Sequence, residues 1–272
     1  MAVISNEVFT SMLCYEALWS EVKGSNLRNL NQGASLFLDI NNPNIRKCIE
    51  TKLAKMSFNF TSSKDKDYPL NLKYSYISNF YYQGNLSLAN NKNKVAIVGS
   101  RNISSKGISV CKKVAKDFVD NNFTIISGLA EGTDTTAMKE TIDCGSNNLI
   151  GVIGTPLGEF YPRFNKPLQE YIAKNCLLIS HIPFYKSTIQ TFSSKSAYFP
   201  ERNAVMANLA DLSVIIEAKE RSGTLTHARH CLEANKPLFI MDNNKGYWVD
   251  DLVDKGAIVV SSVDKILEFL NE

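Results

Sequence analysis

The sequence predicts a doubly wound α/β fold, in which helices cover a mostly parallel sheet. The first observation is a series of seven short apolar runs between residues 95 and 262, each followed by small or polar residues. The second is that segments long enough for helices separate these runs. Unbroken apolar runs are typical of strands buried on both faces, and strand–helix alternation is typical of parallel strands joined by right-handed crossovers. Together they predict an extended Rossmann-like domain.

The predicted strands are VAIVGS (95–100), FTIISG (123–128), NLIGVIG (148–154), CLLIS (176–180), LSVIIEA (212–218), PLFIMD (237–242) and AIVVSS (257–262). We assign residues 61–272 to this domain and residues 61–94 to a lead-in hairpin whose tyrosines pack against neighbours rather than form a base-stacking platform. Residues 1–60 have apolar side chains at helical spacing and are broken at Gly24, Gly33 and Pro43. They predict a small N-terminal region of two or three helices. The polar stretch 61–67 is the best candidate for a linker.

Composition and charge indicate a globular protein without a dominant charged surface. The chain has 272 residues, of which 44% are hydrophobic and 21% charged, and its formal net charge is +3. That excess is too small to indicate nucleic-acid binding by itself. The six cysteines are widely spaced and form no zinc or redox motif, as expected in a reducing compartment. Residues 1–23 predict neither a signal peptide nor a membrane span. We therefore expect a cytoplasmic protein with no membrane partner and no metal.

Glycine and serine residues follow three of the predicted strands and indicate an anion-binding edge of the sheet. The first turn contains Gly99, Ser100 and Arg101, the second Ser127 and Gly128, and the third Ser222 and Gly223. Carboxyl ends of parallel strands meet at one edge, where helix N-termini and backbone N–H groups attract phosphate. Three such turns on one edge predict a phosphate or phosphodiester ligand. Because the dinucleotide fingerprint and the Walker pattern are both absent, we expect no NAD or ATP cofactor.

The combination of GSR, SGLA, YPR, FPERN and EAKERSG, in this order over about residues 66–242, resembles the DNA processing protein A family, also called DprA or Smf. The resemblance implies an extended Rossmann fold that binds single-stranded DNA without sequence preference. It also implies a homodimer that loads the recombinase RecA during natural transformation in competent cells. Carried over by motif, the DNA-contacting positions are Ser100, Arg101, Ser127, Gly128, Arg163, Lys195, Arg202 and Asn203, with Lys195 matched least securely. We expect these cations to line a basic groove.

A second resemblance leaves an enzymatic alternative open. FPERN and the segment after residue 211 also resemble LOG-type, lysine-decarboxylase-like phosphoribohydrolases, which cleave nucleoside monophosphates. Their motif implies a glutamate where this chain has His227, and an imidazole cannot stabilise an oxocarbenium-like transition state as a carboxylate does. We therefore predict a protein without catalytic activity. A nucleotide-binding or nucleotide-sensing module is the third hypothesis. His227 and His230 are expected to be exposed or to face phosphate.

Overall fold

The apolar runs predicted as strands pair into one mostly parallel sheet in the computed structural model, which describes residues 4–21, 39–73 and 75–271. Its strands are β1 (Asn59–Ser62), β2 (Asn79–Gly84), β3 (Lys94–Val98), β4 (Thr124–Ser127), β5 (Leu149–Ile153), β6 (Leu177–Ser180), β7 (Leu212–Ile215), β8 (Leu238–Met241) and β9 (Ile258–Val260). All seven predicted strands are present, as β3 to β9. The predicted fold class is confirmed.

The helices connect these strands as the alternation predicts. Those described are α1 (Asn6–Glu21), α2 (Pro43–Lys55), α3 (Leu70–Lys73), α4 (Ser105–Asp120), α5 (Thr133–Asp143), α6 (Lys166–Asn175), α7 (Phe184–Ile189), α8 (Phe192–Lys195), α9 (Tyr198–Leu209), α10 (Gly223–Glu233), α11 (Tyr247–Asp254) and α12 (Val263–Asn271). Short 3-10 turns lie at Leu86–Asn90 and Arg163–Asn165. Across the described residues, none of these helices is both long and apolar enough to cross a membrane.

The order of the strands decides where a ligand can enter. Across the sheet the order is β1-β2-β6-β5-β4-β3-β7-β8-β9, and the strands from β6 to β9 in this order run parallel. The chain adds β4, β5 and β6 on one side of β3 and then returns to place β7 on the other side. In such sheets the crevice at this reversal, outside the carboxyl ends of the strands, is the usual ligand site. Here that point lies between β3 and β7.

The N-terminal part of the chain packs against the β6 end of the sheet. The strand β2 pairs antiparallel with β6, and β1 pairs antiparallel with β2, so the lead-in strands extend the main sheet. Their aromatic side chains are packed, with Phe80 and Tyr81 fully buried. The proposed domain boundary after residue 60 falls within β1 and stays a prediction. Of the predicted breaks between the N-terminal helices, Gly24 and Gly33 lie outside the described residues.

Candidate functional site

A cleft of about 450 Å³ opens at the reversal point of the sheet, and we call it the switch-point cleft. Its walls come from the turn after β3, the first turns of α9, and the loop that leads from β7 into α10. Seven of the predicted site residues line it: Gly99, Ser100, Arg101, Arg202, Asn203, Ser222 and Gly223. The convergence expected from the three turns is therefore present for the first and third of them.

Hydrogen bonds from both backbone and side-chain groups hold these turns side by side. The Ser100 N–H donates to the Glu217 carbonyl at 2.6 Å, which joins the turn after β3 to the end of β7. The Asn203 amide donates to the Gly223 carbonyl at 3.1 Å and joins α9 to α10. The Glu217 carboxylate accepts from the Ser104 hydroxyl at 2.6 Å, so it braces the start of α4, and it is not among the residues that line the cleft. The loops around the cleft are thus linked to one another by hydrogen bonds.

Arg101 is an exposed cation of the site, and it lies over an aromatic ring. Its guanidinium carbon is 5.8 Å from the centre of the Phe199 ring, and it forms no ion pair within the described part of the chain. The Phe199 ring in turn packs against Tyr161 at 5.3 Å between centroids. Beyond these rings a smaller recess of about 60 Å³ continues from the cleft and is lined by Gly128 and Tyr161. A cation and two adjacent rings therefore share one surface.

Arg202 borders both spaces but is a buried residue, only 5% exposed. Its Nη1 atom lies 3.7 Å from Oδ2 of Asp134 and 3.4 Å from the Val152 carbonyl oxygen. Burial raises the pKa of the Asp134 carboxyl and lowers the pKa of the Arg202 guanidinium, while each charge opposes the shift on the other. The sequence predicted a groove cation here, whereas the structure shows a buried ion pair. A DNA contact by Arg202 stays a prediction.

The same carboxylate holds the turn after β4 in an uncommon conformation. Leu129 has φ of 60°, a region that side chains other than glycine seldom occupy. Asp134 Oδ2 accepts the N–H groups of Gly128 at 3.1 Å and Ala130 at 3.4 Å, on either side of Leu129. The Asn165 amide donates to the Leu129 carbonyl at 2.9 Å. Such strain persists only where the surroundings determine it, so Asp134 and Asn165 fix this turn.

Gly128→Ala should destabilise the protein because the guanidinium occupies the space of the new side chain. An added Cβ would lie 1.3 Å from Nη1 of Arg202 and 2.7 Å from Oδ2 of Asp134. We expect a loss of about 1–3 kcal/mol in the free energy of unfolding, the usual cost of overpacking. Gly223→Ala is the matched control, since its Cβ meets no atom within 4 Å. Urea denaturation of both variants measures the difference, and equal midpoints would contradict the close packing.

The N-terminus of α10 opens into the cleft without a side-chain cap. Ser222 is its N-cap residue, and the Ser222 hydroxyl has no hydrogen-bond partner among the described residues. Helix N-terminal N–H groups favour anions. His227, on the next turn, is only 1% exposed, and its Nε2 lies 3.0 Å from the Ser213 hydroxyl. Burial lowers the pKa of His227 to about 3, so the ring is neutral. The expectation that His227 is exposed was wrong; because His227 also lines the cleft, a position facing phosphate stays a prediction.

Three predicted site residues do not line these spaces. Ser127 is fully buried, and its hydroxyl donates to the Ile97 carbonyl at 2.8 Å, so it serves the packing of β4 on β3. Arg163 is exposed on the 3-10 turn next to Pro162, at the rim of the smaller recess. Lys195 is half-buried at the end of α8. Contact of any of these residues with a ligand stays a prediction.

Sequence reasoning missed Phe199 as a site residue. It stands in the FPERN segment, two residues before Glu201, and nothing in the local pattern distinguishes it from a core aromatic such as Tyr198. The signal that could have found it is its place in the same FPERN segment as Arg202 and Asn203, which were predicted as site residues. For metals, the described ranges contain no cluster of three or more His, Cys, Asp or Glu side chains that could hold an ion.

Comparisons with known proteins agree with this architecture. The family model described as DNA recombination-mediator protein A matches residues 59–271. DNA processing protein DprA of Streptococcus pneumoniae is 35% identical over 194 residues, which are 70% of this chain and 66% of that protein. The matched part is thus just under two thirds of that relative's length. Neither name includes a catalytic activity.

Two solved structures resemble this fold, one of them over nearly the whole chain. The crystal structure of DprA from Streptococcus pneumoniae has a TM-score of 0.74 at 28% identity and covers 98% of each chain. A structure of DNA processing protein A from Helicobacter pylori, described for its single-stranded DNA binding mode, has a TM-score of 0.63 at 25% identity. It covers 78% of this chain and 95% of that one. The family match extends over the sheet, the switch-point cleft and the lead-in strands, and this chain belongs to the DNA recombination-mediator protein A family.

Proposed function

We propose that this protein binds single-stranded DNA without sequence preference at the switch-point cleft and acts without catalysis. The observation that carries the proposal is the exposed Arg101 guanidinium lying over the Phe199 ring, next to the uncapped N-terminus of α10. The cation and the helix N-terminus suit a phosphodiester, and the rings suit an unstacked base. This arrangement brings together the two recognition elements of a nucleotide.

Single-strand binding explains why these groups suffice with a net charge of only +3. A base stacked on an aromatic ring contributes about 1–3 kcal/mol whatever its identity, since every base has a π-face. Phosphates are neutralised by a few local cations, here Arg101 and Lys219 in the cleft and Arg163 next to Pro162 of the smaller recess. Duplex DNA keeps its bases stacked and cannot use the Phe199 and Tyr161 rings. The Helicobacter pylori relative, described for single-stranded DNA binding, supports this choice.

The nucleotide-cleaving alternative has less support from the geometry. His227 stands where the hydrolase motif implies a glutamate, and it is buried against Ser213. Asp134 is the carboxylate that borders the switch-point cleft among the described residues, and it is engaged by Arg202 and by two backbone N–H groups. An occupied carboxylate is poorly placed to stabilise a ribosyl cation.

Arg101→Ala should weaken binding of an oligo-dT probe and reduce its salt dependence. Loss of one phosphate contact lowers the slope of log K against log salt concentration by about 0.7 for single strands. Arg46→Ala is the matched control, since the Arg46 guanidinium lies over the Phe9 ring at 5.1 Å but far along the chain on α2. Fluorescence anisotropy at several salt concentrations provides both quantities. An unchanged affinity and slope in Arg101→Ala would remove the cleft from the binding surface.

The same titration with a duplex and with mononucleotides distinguishes the three functional hypotheses: single-stranded DNA binding, nucleotide sensing and nucleotide cleavage. Single-strand binding predicts affinity for oligo-dT well above that for the duplex or for a nucleoside monophosphate. Tighter binding of the mononucleotide would favour the sensing module, and release of free base would favour the hydrolase. Roles as a homodimer and as a loader of a RecA-type recombinase in the cytoplasm of competent cells extend the proposal. Sedimentation and a filament-assembly assay would test them.

A further inference from the structure

The segment between β6 and α9, residues 181–197, rests on the N-terminal helix α1. The Glu16 carboxylate, fully buried, accepts the backbone N–H of Phe184 at 2.7 Å and of Tyr185 at 2.9 Å, and the Tyr81 hydroxyl at 2.7 Å. One helical position earlier, the Tyr15 hydroxyl donates to the His181 carbonyl. Helix α1 therefore anchors the start of this segment at several backbone atoms.

The far end of the segment is anchored by Trp19, also on α1. The Trp19 ring is fully buried and packs edge-on against Tyr198 with 6.1 Å between centroids, and Lys186 Nζ lies 5.4 Å from its centre. The Tyr198 hydroxyl donates to the Gln190 side-chain carbonyl at 2.5 Å. Tyr198 is the first residue of α9, and the next residue is Phe199 of the cleft. Neighbouring helical residues point about 100° apart, so Tyr198 faces α1 while Phe199 faces the cleft.

The segment's own helices are short, so its position depends on packing, which includes Phe184 against Phe58 and Tyr81 at its start. Its helices α7 and α8 have only 6 and 4 residues, far below the length at which a helix is stable alone. The start of α9 has no side-chain cap, with Ala197 at the N-cap position. The Phe199 ring meanwhile lies close against Gly154, 2.7 Å from where a Cβ would stand. Phe199 lies in the first turn of α9, so a small displacement of that turn changes the position of its ring against Gly154.

We propose that α1 is a positioning element for the DNA surface and that Trp19 is its main positioning residue, acting through Tyr198 on Phe199. This inference rests on the proposed function. Trp19 has no exposed surface, so it cannot touch DNA itself. The N-terminal region, which the family match of residues 59–271 leaves out, thereby contributes to the affinity of a site located in the other part of the chain.

Trp19→Leu tests the proposal with a change that keeps most of the buried volume. We expect affinity for oligo-dT to fall at least about fivefold, the low end of what one base stack contributes. The salt slope should stay at the wild-type value, because no phosphate contact is lost. Trp19→Phe, which keeps a ring against Tyr198, should restore most of the affinity. In a double-mutant cycle, Trp19→Leu should add little to Phe199→Ala, because both act on the same stack.

Phe118→Leu is the matched control for general destabilisation. Phe118 is also fully buried and packs against Phe123 at 4.9 Å, but it lies on α4 and contacts neither α1 nor α9 in any described interaction. At equal fraction folded, it should bind oligo-dT as the wild type does. Wild-type affinity in Trp19→Leu, a reduced salt slope, or full additivity with Phe199→Ala would each overturn the inference. If Arg101→Ala also binds normally, the proposed function fails; if Arg101→Ala alone weakens binding, only this inference fails.

Discussion

Asp134→Ala is expected to lower the free energy of unfolding by about 3–5 kcal/mol, the cost of leaving one partner of a buried ion pair without its counter-charge. The Arg202 side chain is 7% exposed and would keep its charge beside the Val152 carbonyl. The N–H groups of Gly128 and Ala130 would lose their acceptor, and Leu129 would lose the brace that holds its positive φ. Chemical denaturation monitored by circular dichroism measures the loss.

The exposed pair of Lys116 and Asp120 provides the control for this prediction. Its atoms are closer, at 2.8 Å against 3.7 Å, but both side chains are 55% exposed. Asp120→Ala should therefore cost much less stability than Asp134→Ala, because exposed surface pairs contribute little. If both alanine variants lose the same stability, burial is not what makes the Asp134–Arg202 pair important. Arg202→Ala should resemble Asp134→Ala, so weakened DNA binding in that variant would not by itself indicate a lost DNA contact.

Acidification below pH 6.5 is the second change with a large expected effect. Burial lowers the pKa of both His181 and His227 to about 3, with the Arg202 charge adding to the shift. In the unfolded chain each ring would titrate near 6.5, so the unfolded state binds more protons between pH 6.5 and 3. The free energy of unfolding therefore decreases as the pH is lowered, by about 1.4 kcal/mol per pH unit for each histidine.

Glu16 opposes this effect over part of the same range. Burial raises its pKa to about 7, so the folded state holds a proton between pH 7 and 4.5 that the unfolded state has lost. This contribution is complete below pH 4.5 and is lost as the pH rises through 7. Among these three groups the histidines prevail two to one, which leaves a combined loss of about 1.4 kcal/mol per unit between pH 6.5 and 4.5 and about twice that below. The Asp134 carboxyl, whose pKa burial also raises, opposes this loss in the same sense as Glu16.

Two variants with opposite expected effects on the pH dependence of stability test the roles of the buried histidines and of Glu16. His181→Leu replaces a fully buried ring whose two nitrogens have no hydrogen-bond partner in the described structure, and it should flatten the acid branch by about 1.4 kcal/mol per pH unit. Glu16→Gln should steepen the branch between pH 6.5 and 4.5. Urea denaturation at intervals from pH 8 to 4 gives the curves. Parallel curves for wild type and His181→Leu would show that this ring is not held neutral.

Much of the fold could be predicted because its signals are local. The apolar runs at residues 95–100 and 212–218 became β3 and β7, since strands buried on both faces must be apolar throughout. The convergence of Gly99–Arg101 with Ser222–Gly223 followed from the geometry of parallel sheets, which brings the carboxyl ends of strands together whatever their separation in sequence.

Burial of single side chains at the cleft could not be predicted in the same way. Ser127 ends its strand just as Ser100 follows its own, yet the Ser127 hydroxyl points to the Ile97 carbonyl inside the sheet. From the sequence Arg202 is predicted to be a surface cation. Its burial depends on its partner Asp134, which lies far from it in the sequence. His227 follows the same rule, since only the position of Ser213 shows which way its ring points. These outcomes depend on tertiary neighbours, which a periodic pattern does not encode.

The antiparallel pairing of β2 with β6 has a consequence for solubility. In a sheet that ended at β6, the buried strand Leu177–Ser180 would present free N–H and C=O groups to other chains, an arrangement that promotes edge-to-edge aggregation. The added strands move that edge outward to β1, which has only four residues. Short edge strands offer little template for pairing. A fragment that begins at β3 would therefore carry an aggregation liability from which the N-terminal strands protect the longer chain.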